Sequence, residues 1–362
     1  MRVAFFIQGW DVPSSRFRVL QYLPYLKEKS IHCDIFAPAL SSDGFSHQWL
    51  PGPVYHWARH ATQLFLYLPS RLLQIISANI QKYDILFIQK PIMSWPESAL
   101  LEHYIAKRNP NIIFDIDDAV FTSMNGKPGG KDIQIKDIIR TSRLIFVGNT
   151  NLEDYVRTQT SASKVMMIPT TVDESYFNPI KKKATKSQLC IGWTGVSVNL
   201  RYIYDLIPVL ERFQSRKDIY FKIISDRKTI PKLAHIPNVK VCKWQAKTEV
   251  EDLQEIDIGI MPLRDDEWTR GKCAFKLIQY MAIGIPAVAS PIGANKDVLI
   301  HGETGFFAET QSDWIARLTF FIENSVDRDQ MGQNALQRYQ ECFSIEKNIA
   351  KMLEGFEQVL HG

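Results

Sequence analysis

Short runs of continuously apolar, β-branched residues alternate along this chain with longer segments of helical periodicity, and this alternation constrains the fold more than any other feature. In the first half, the runs at residues 2–7, 32–36, 85–88, 112–115, 144–147 and 165–168 are predicted strands, and residues 15–28 and 94–107 are predicted helices. Strands that are apolar on both faces are typical of a parallel sheet covered by helices on each side. The sequence therefore predicts an α/β fold.

A second series of apolar runs follows at residues 190–193, 220–224, 239–241, 256–261 and 287–290. The segment between the two series, PIKKKATKSQ, is polar and basic and has no periodicity, so we interpret it as a linker. Two consecutive α/β domains of similar size follow from this arrangement. An amphipathic helical pattern at residues 345–360 ends the chain, and the pattern alone assigns it to neither domain.

Composition limits the class of protein. Hydrophobic residues make up 45% of the chain and charged residues 23%, which is typical of a globular protein. The five cysteines are scattered without a CxxC spacing, so we predict no zinc site, no disulfide framework and a reducing compartment, the cytoplasm. The chain opens on a predicted strand rather than a signal segment, and no run of residues predicts a membrane-spanning helix. The basic residues form no recognisable nucleic-acid-binding module, so nucleic acid is not an expected partner.

The densest motif is GKCAFKLIQYMAIGIPAVASPIGANKDVLIHGETGFF, at residues 271–307. A helix beginning near Lys272 would direct its first N–H groups and the positive end of its dipole at a diphosphate. Lys272, Lys276 and Gln279 would then share one helical face. The alternative is a surface helix whose lysines are simply solvated.

The order of elements in this motif resembles the donor-binding half of GT-B glycosyltransferases, especially the large retaining family that includes many bacterial polysaccharide enzymes. The resemblance rests on YMAIGIPAVAS and HGETGFF, and extends to KVMMIPTTVDESYFNP, IGWTGVSVN, FKIISD and the terminal SIEKNIAKMLEGFEQVL. It implies an α/β GT-B architecture of two Rossmann-like domains facing across a cleft. Residues 1–178 would form the acceptor-binding domain and residues 187–344 the nucleotide-sugar domain, with a terminal helix at 345–362 crossing back to the first.

The resemblance also implies an activity. We expect transfer of a hexose, with retention of anomeric configuration, from a nucleotide-diphosphate sugar to a hydroxyl of a growing, lipid-linked glycan in polysaccharide biosynthesis. A UDP-sugar is favoured over a GDP-sugar, and neither a metal nor another cofactor is expected. Two alternatives stay open: a sugar-nucleotide epimerase of related fold, and a non-catalytic partner subunit that kept the fold.

Residues carried over from the family mostly bind the donor. They are Gly9, Gly195, Ser197, Asn199, Ser225, Trp244, Gln245, Arg270, Cys273, Ala274, Phe275 and Gln279. Two departures stand out: the family's paired glutamates are replaced by Gly271 and Gln279, and TGVSVNLR lacks the usual basic pair. We infer that Lys272 and Lys276, which we predict to be catalytic, together with Arg270 supply the missing positive charge to the diphosphate.

In the first half, IQGWDVPSSRFR follows the first predicted strand. Arg16 and Arg18 are predicted to bind an acceptor phosphate or the departing nucleotide, the alternative being that they cap or solvate the next helix. FDIDDAVF places Asp115, Asp117 and Asp118 at the end of a strand, where ligands gather in open α/β sheets and where carboxylates could also hold a metal. The family has a histidine there and works without metal, so we predict that the catalytic Asp117 contacts a sugar hydroxyl or acts as acceptor base.

Residues 57–76, WARHATQLFLYLPSRLLQII, are rich in aromatic, aliphatic and basic side chains. Such a helix can lie in a membrane interface, with its arginines near anionic headgroups, or can pack on the sheet. If the helix lies in a membrane interface, the protein is predicted to be peripheral on the inner face of the plasma membrane.

Overall fold

The computed structural model describes residues 1–38, 61–93, 97–122, 131–179 and 188–362. Most of the predicted linker and the first residues of the 57–76 segment lie outside the described residues. The chain divides into two compact units. The first contains Met1–Thr170, Gly271–Cys273 and Glu346–Gly362, and the second contains Thr171–Arg270 and Ala274–Ile345.

Twelve strands are present in the described residues. They are β1 (Arg2–Phe6), β2 (His32–Phe36), β3 (Ile85–Gln89), β4 (Ile112–Ile116), β5 (Leu144–Val147), β6 (Val165–Met167), β7 (Leu189–Thr194), β8 (Ile219–Ser225), β9 (Val239–Lys243), β10 (Ile258–Met261), β11 (Ala287–Ala289) and β12 (Gly305–Phe307).

The helices of the described residues connect these strands. They are α1 (Pro13–Arg18), α2 (Leu23–Glu28), α3 (Leu68–Gln81), α4 (Leu100–Ala106), α5 (Lys131–Thr141), α6 (Thr150–Arg157), α7 (Leu200–Asp205), α8 (Ile207–Arg212), α9 (Glu249–Gln254), α10 (Glu267–Arg270), α11 (Phe275–Ala282), α12 (Asn295–Val298), α13 (Gln311–Glu323), α14 (Ser325–Cys342) and α15 (Ile345–His361). A π-helical turn, Gln63–Tyr67, precedes α3. Among the described residues, no helix is both long enough and apolar enough to cross a bilayer.

The first unit is built on a parallel sheet in the order β2-β1-β3-β4-β5-β6. β3 and β4 are buried along their whole length, as predicted for strands covered on both faces. The strand order reverses between β1 and β3, and ligands of such sheets bind outside the carboxyl ends of the strands at this switch point. Asp115, at the end of β4, pairs in register with Gln89 at the end of β3.

The terminal helix α15 packs on this first sheet. A Cβ at Gly355 would lie 2.6 Å from the ring of Phe146, so only glycine permits this close approach. The amide of Asn348 donates to Pro169 O (2.8 Å) and to the hydroxyl of Tyr22 (3.2 Å), and the Asn348 side chain is fully buried.

The second unit holds a parallel sheet in the order β12-β11-β10-β7-β8-β9, whose switch point lies between β7 and β10. Helix α11 lies close to this sheet because Gly259 in β10 has no side chain: a Cβ there would meet the ring of Tyr280 at 2.4 Å. The Tyr280 hydroxyl donates to Gly192 O, at 3.2 Å, across the same narrow gap.

The predicted α/β class, with two parallel sheets, is therefore confirmed. Two local predictions were wrong, and one strand was not predicted. The helix expected at 15–28 is interrupted at Val19, whose φ of −132° is not helical. β12 was missed, and the helix expected to begin near Lys272 begins at Phe275, so Lys272 does not share its face.

Candidate functional site

Three charged residues meet at the carboxyl ends of β3 and β4 in the first unit. The ammonium of Lys90 lies 2.9 Å from Asp117 Oδ1 and 3.1 Å from Asp118 Oδ2. Asp117 is buried, and Asp118 is half-buried. The predicted Asp117 thus has a counter-charge that sequence reasoning did not name.

Lys90 is also conformationally unusual. Its φ of +59° is in the left-handed region, which side chains other than glycine rarely adopt, and such strain concentrates at functional sites. Burial opposes the positive charge of Lys90, but Asp117 and Asp118 outweigh it and raise its pKa, so the ammonium stays protonated. The sequence signal was a lysine placed directly after β3 and before Pro91.

Arg18 is buried inside the first unit. Its guanidinium forms a bidentate pair with the carboxylate of Asp115, with Nε to Oδ2 at 3.0 Å, and also donates to Ile168 O. The side chains are 2% and 1% exposed. This corrects the prediction that Arg18 binds an acceptor phosphate: its donors neutralise a buried aspartate instead.

Gly9 lies in the turn between β1 and α1, and Arg16 lies in α1. Arg16 is half-buried, with its guanidinium 4.7 Å from the ring centroid of Phe17, and Gly9 is buried. Beside them, Ser15 Oγ accepts from Gln8 N and donates to the side-chain oxygen of Gln89. This network joins the ends of β1 and β3. The acceptor role of Arg16 stays a prediction.

The segment Gly271–Cys273 belongs by its packing to the first unit. Asn149 donates to Gly271 O (2.9 Å), and Cys273 Sγ donates to Asp117 O (2.9 Å). Burial raises the pKa of Cys273 to about 12, so its thiol is neutral. Lys272 is half-buried between these two anchored residues.

In the second unit, the loops after β7 and β8 bring several predicted donor-binding residues together. Gly195 N donates to Ile224 O, at 3.0 Å, and Trp244 N donates to Ser225 O, at 2.6 Å. Ser197 donates from N and Oγ to the two oxygens of Asp226, at 2.5 and 2.9 Å. A phosphate could take the Ser197 donors only by displacing Asp226, a residue that the sequence analysis did not consider.

Hydrogen bonds fix the charge of Asp226. Burial opposes it, but donation from Ser197 and Ser225 outweighs burial and holds the pKa of the carboxyl below its usual range. Asn199 follows in the same loop and is half-buried.

Lys276 lies in the first turn of α11, the helix predicted to face the diphosphate. Its ammonium lies 5.4 Å from the ring centroid of Trp193. Ala274, at the N-cap, is buried and left-handed (φ +50°), Phe275 is half-buried, and Gln279 is only 3% exposed. An alanine has no side chain that can cap the first N–H groups of the helix.

The remaining predicted donor-binding residues lie on the surface. Trp244 is 38% exposed and Gln245 is exposed after β9. Arg270 is exposed and forms a bidentate pair with Asp265, at 2.7 and 3.1 Å, so its charge is already balanced. Within the described part of the chain, no group of three His, Cys, Asp or Glu side chains is placed to hold a metal ion.

The first unit has an exposed apolar face. It consists of Leu64, Phe65 and Leu66 in the π-helical turn and Leu72, Leu73, Ile76 and Ile80 in α3, and we call it the α3 face. Phe65, Leu73 and Ile80 are each about 70% exposed (71%, 68% and 74%). Arg71 lies on the opposite side, fully buried, and donates to Ile7 O and Phe36 O. The expectation that this arginine faces lipid headgroups was therefore wrong.

Parts of this sequence are similar to known proteins. Residues 186–324 match the family model described as glycosyl transferases group 1. A trehalose synthase of Thermococcus litoralis is 30% identical over 69 residues, which span 19% of this chain and 17% of the synthase.

Solved structures resemble the whole fold. A glycosyltransferase from Rickettsia africae superposes with a TM-score of 0.73 at 13% identity, covering 100% of this chain and 99% of its own. HepE of Anabaena, solved in complex with UDP and glucose, superposes with a TM-score of 0.69 at 12% identity, covering 98% and 99%. The predicted GT-B fold and the resemblance to glycosyltransferases are confirmed by these matches.

Proposed function

We propose that this GT-B chain, whose residues 186–324 match the glycosyl transferases group 1 model, is a retaining glycosyltransferase that moves a hexose from a UDP-sugar to a glycan hydroxyl. The observation that carries the proposal is the position of Lys276, in the first turn of α11 and beside the loop that follows β7 at the switch point of the second sheet. The complex of HepE with UDP and glucose supports the choice of donor.

The second unit would stabilise the leaving diphosphate. Negative charge on the β-phosphate grows as the glycosidic bond breaks, and a fixed ammonium and the N–H groups of a helix start stabilise that charge most when it is fully developed. Lys276 and the first turn of α11 supply both. Trp244, exposed beside Ser225, offers a face on which a base can stack.

The first unit would supply the sugar contact. Asp117 is held by Lys90, so its carboxylate has a fixed position at the carboxyl end of the sheet. We assign it to accepting a hydrogen bond from a sugar hydroxyl, since carboxylates are acceptors with several lone pairs. We expect no metal in these roles, because Lys276 and the N–H groups at the start of α11 would offset part of the charge of the diphosphate.

Release of UDP from candidate donors tests the activity. The purified chain is incubated with UDP-glucose, UDP-galactose, UDP-N-acetylglucosamine or GDP-mannose and a lipid-linked glycan fraction, and free nucleotide diphosphate is measured. We expect turnover with a UDP-sugar and its loss in Lys276→Ala. Lys232→Ala is the matched control, since Lys232 also lies over a ring, Tyr204, at 4.6 Å. UDP binding without turnover by any acceptor would instead identify a non-catalytic subunit, and interconverted free UDP-sugars an epimerase.

The acceptor is proposed to be lipid-linked and the chain to work at the inner face of the plasma membrane. Support comes from the α3 face, where at least seven large apolar side chains are exposed. Support also comes from charge: between Asp43 and Asp84 the sequence has no acidic residue, while it has Arg59 and Lys82 in addition to the buried Arg71. An apolar face in a segment without acidic residues suits an anionic bilayer surface.

Sedimentation with vesicles tests the membrane part separately. We expect the chain to sediment with phosphatidylglycerol-containing vesicles at low salt and to be released by salt. Leu73→Asp and Ile80→Asp should abolish sedimentation, whereas Val326→Asp, at a residue 79% exposed in the second unit, should not change it. If the unchanged chain stays in solution at low salt and uses free oligosaccharides equally well, the lipid-linked acceptor is wrong while the glycosyltransferase assignment is untouched.

A further inference from the structure

Trp193 has no role in the proposed chemistry, yet it lies at the centre of the second sheet. It belongs to β7, pairs in register with Ile223 of β8, and is 1% exposed. It is also the largest of the fully buried side chains among the described residues. A buried indole at the carboxyl end of a strand, next to a switch point, is well placed to support whatever lies above it.

The side chain above it is Lys276. The ammonium is 5.4 Å from the ring centroid, within the range in which a cation is attracted to an aromatic face. Gly195 makes this approach possible. A Cβ at that position would lie 2.7 Å from Cζ2 and Cη2 of the indole and 3.2 Å from Cε of Lys276. The ring, the glycine and the lysine stem therefore form one packed layer.

We propose that Trp193 is a positioning residue: its ring holds the ammonium of Lys276 in place for the β-phosphate of a bound nucleotide diphosphate. The inference rests on the proposed function, in which Lys276 binds that phosphate. A lysine stem has several rotatable bonds, and ordering it on binding costs entropy. A ring that already restrains the ammonium lowers this cost, and thus strengthens binding of the phosphate that the ammonium contacts.

A double-mutant cycle measured by calorimetry with UDP tests the inference. Lys276→Ala should weaken UDP binding by about ten- to a hundredfold, as expected for a lost charge-assisted bond. Trp193→Met, which keeps apolar bulk but removes the ring, should weaken it by about three- to thirtyfold. Trp193→Phe should restore most of the affinity. In the Lys276→Ala background, Trp193→Met should have no further effect, because the residue acts through the lysine.

Uridine is the matched ligand, since it lacks the phosphates. Its affinity should be the same in the unchanged chain, Trp193→Met and Lys276→Ala. Phe221→Leu is the matched protein control, because it removes another fully buried ring from the same sheet, one that contacts Phe213. It should leave UDP and uridine binding unchanged.

Fluorinated tryptophan gives a second measurement that leaves the core filled. Fluorination withdraws electrons from the ring face and so weakens its attraction for a cation. The chain has eight tryptophans, and the Lys276→Ala background subtracts the effect of the other seven. UDP binding should weaken on fluorination only when Lys276 is present.

The outcomes separate the two proposals. If Lys276→Ala binds UDP as the unchanged chain does, the proposed role of Lys276 fails and the inference with it. Two other results would overturn the inference alone and make Trp193 a core residue only. In the first, Lys276→Ala weakens UDP binding and Trp193→Met weakens it further by its full separate effect. In the second, Trp193→Met weakens uridine binding as much as UDP binding.

Discussion

Replacing Arg18 with Met tests whether this arginine serves the core or a ligand. The substitution leaves Asp115 buried at 1% exposure without its bidentate partner. Breaking a buried pair from one side costs about 3–5 kcal/mol, because the remaining charge is uncompensated. The free energy of opening the first unit should fall by that amount.

Hydrogen exchange followed by mass spectrometry measures this opening for each segment, so it does not require the whole chain to unfold in one step. The slowest amides of β1 and β4 should exchange faster by about a hundred- to several-thousandfold, since each 1.4 kcal/mol is a factor of ten. Arg18→Met combined with Asp115→Leu should recover most of the protection, because no buried charge remains.

Arg16→Ala is the comparison within the same helix. Arg16 is half-buried, so its loss should cost less than about 1 kcal/mol. Unchanged exchange in Arg18→Met, together with a raised KM for the acceptor, would refute the reasoning and return Arg18 to the acceptor site.

Three further predictions follow from the described sites. Lys276→Ala should lower kcat/KM by about ten- to a thousandfold. Gln279→Ala, which would remove the neutral hydrogen bond predicted to a donor ribose, should cost about 0.5–1.5 kcal/mol and act mainly on donor binding. Steady-state kinetics with the donor found in the UDP-release screen separate the two effects. Activity in EDTA should equal that with added magnesium or manganese, and complete loss that metal restores would overturn the role of Asp117. Burial raises the pKa of Glu102 from 4.5 to about 7. Because the pKa of Glu102 is higher in the folded chain than in the unfolded chain, the first unit should lose about 3 kcal/mol of stability as the pH rises from 4.5 past 7. Urea unfolding measures this loss, and Glu102→Gln should not show it.

Sequence patterns were sufficient for the regular part of the fold. Apolar runs long enough to be buried on both faces have few other solutions than a covered parallel sheet. The predicted strands at 32–36 and 144–147 therefore coincide with β2 and β5, and the other predicted strands differ from the structure by one or two residues. β12 was not predicted because it has only three residues, begins with Gly305, and is held at the edge of the sheet by pairing with β11. Pairing between strands is a tertiary interaction, so the strand propensity of a short segment does not predict it.

The glycine, lysine and aspartate motifs could be identified from the sequence as candidate binding residues, since their residue types suit phosphates and sugars. What those side chains do depended on partners far away in the sequence. Arg18 was predicted to face a ligand, but Asp115, 97 residues later, takes its guanidinium into the core.

The same holds for the residues that sequence reasoning missed. Lys90 becomes the partner of Asp117 only because β3 and β4 are neighbours, and Trp193 lies under Lys276 only because Gly195 and α11 let the lysine approach. Periodicity and residue type determine which segments are buried, because burial of apolar surface is a property of each segment. Pairing of charges and rings is a property of two segments at once, so only the tertiary structure decides it.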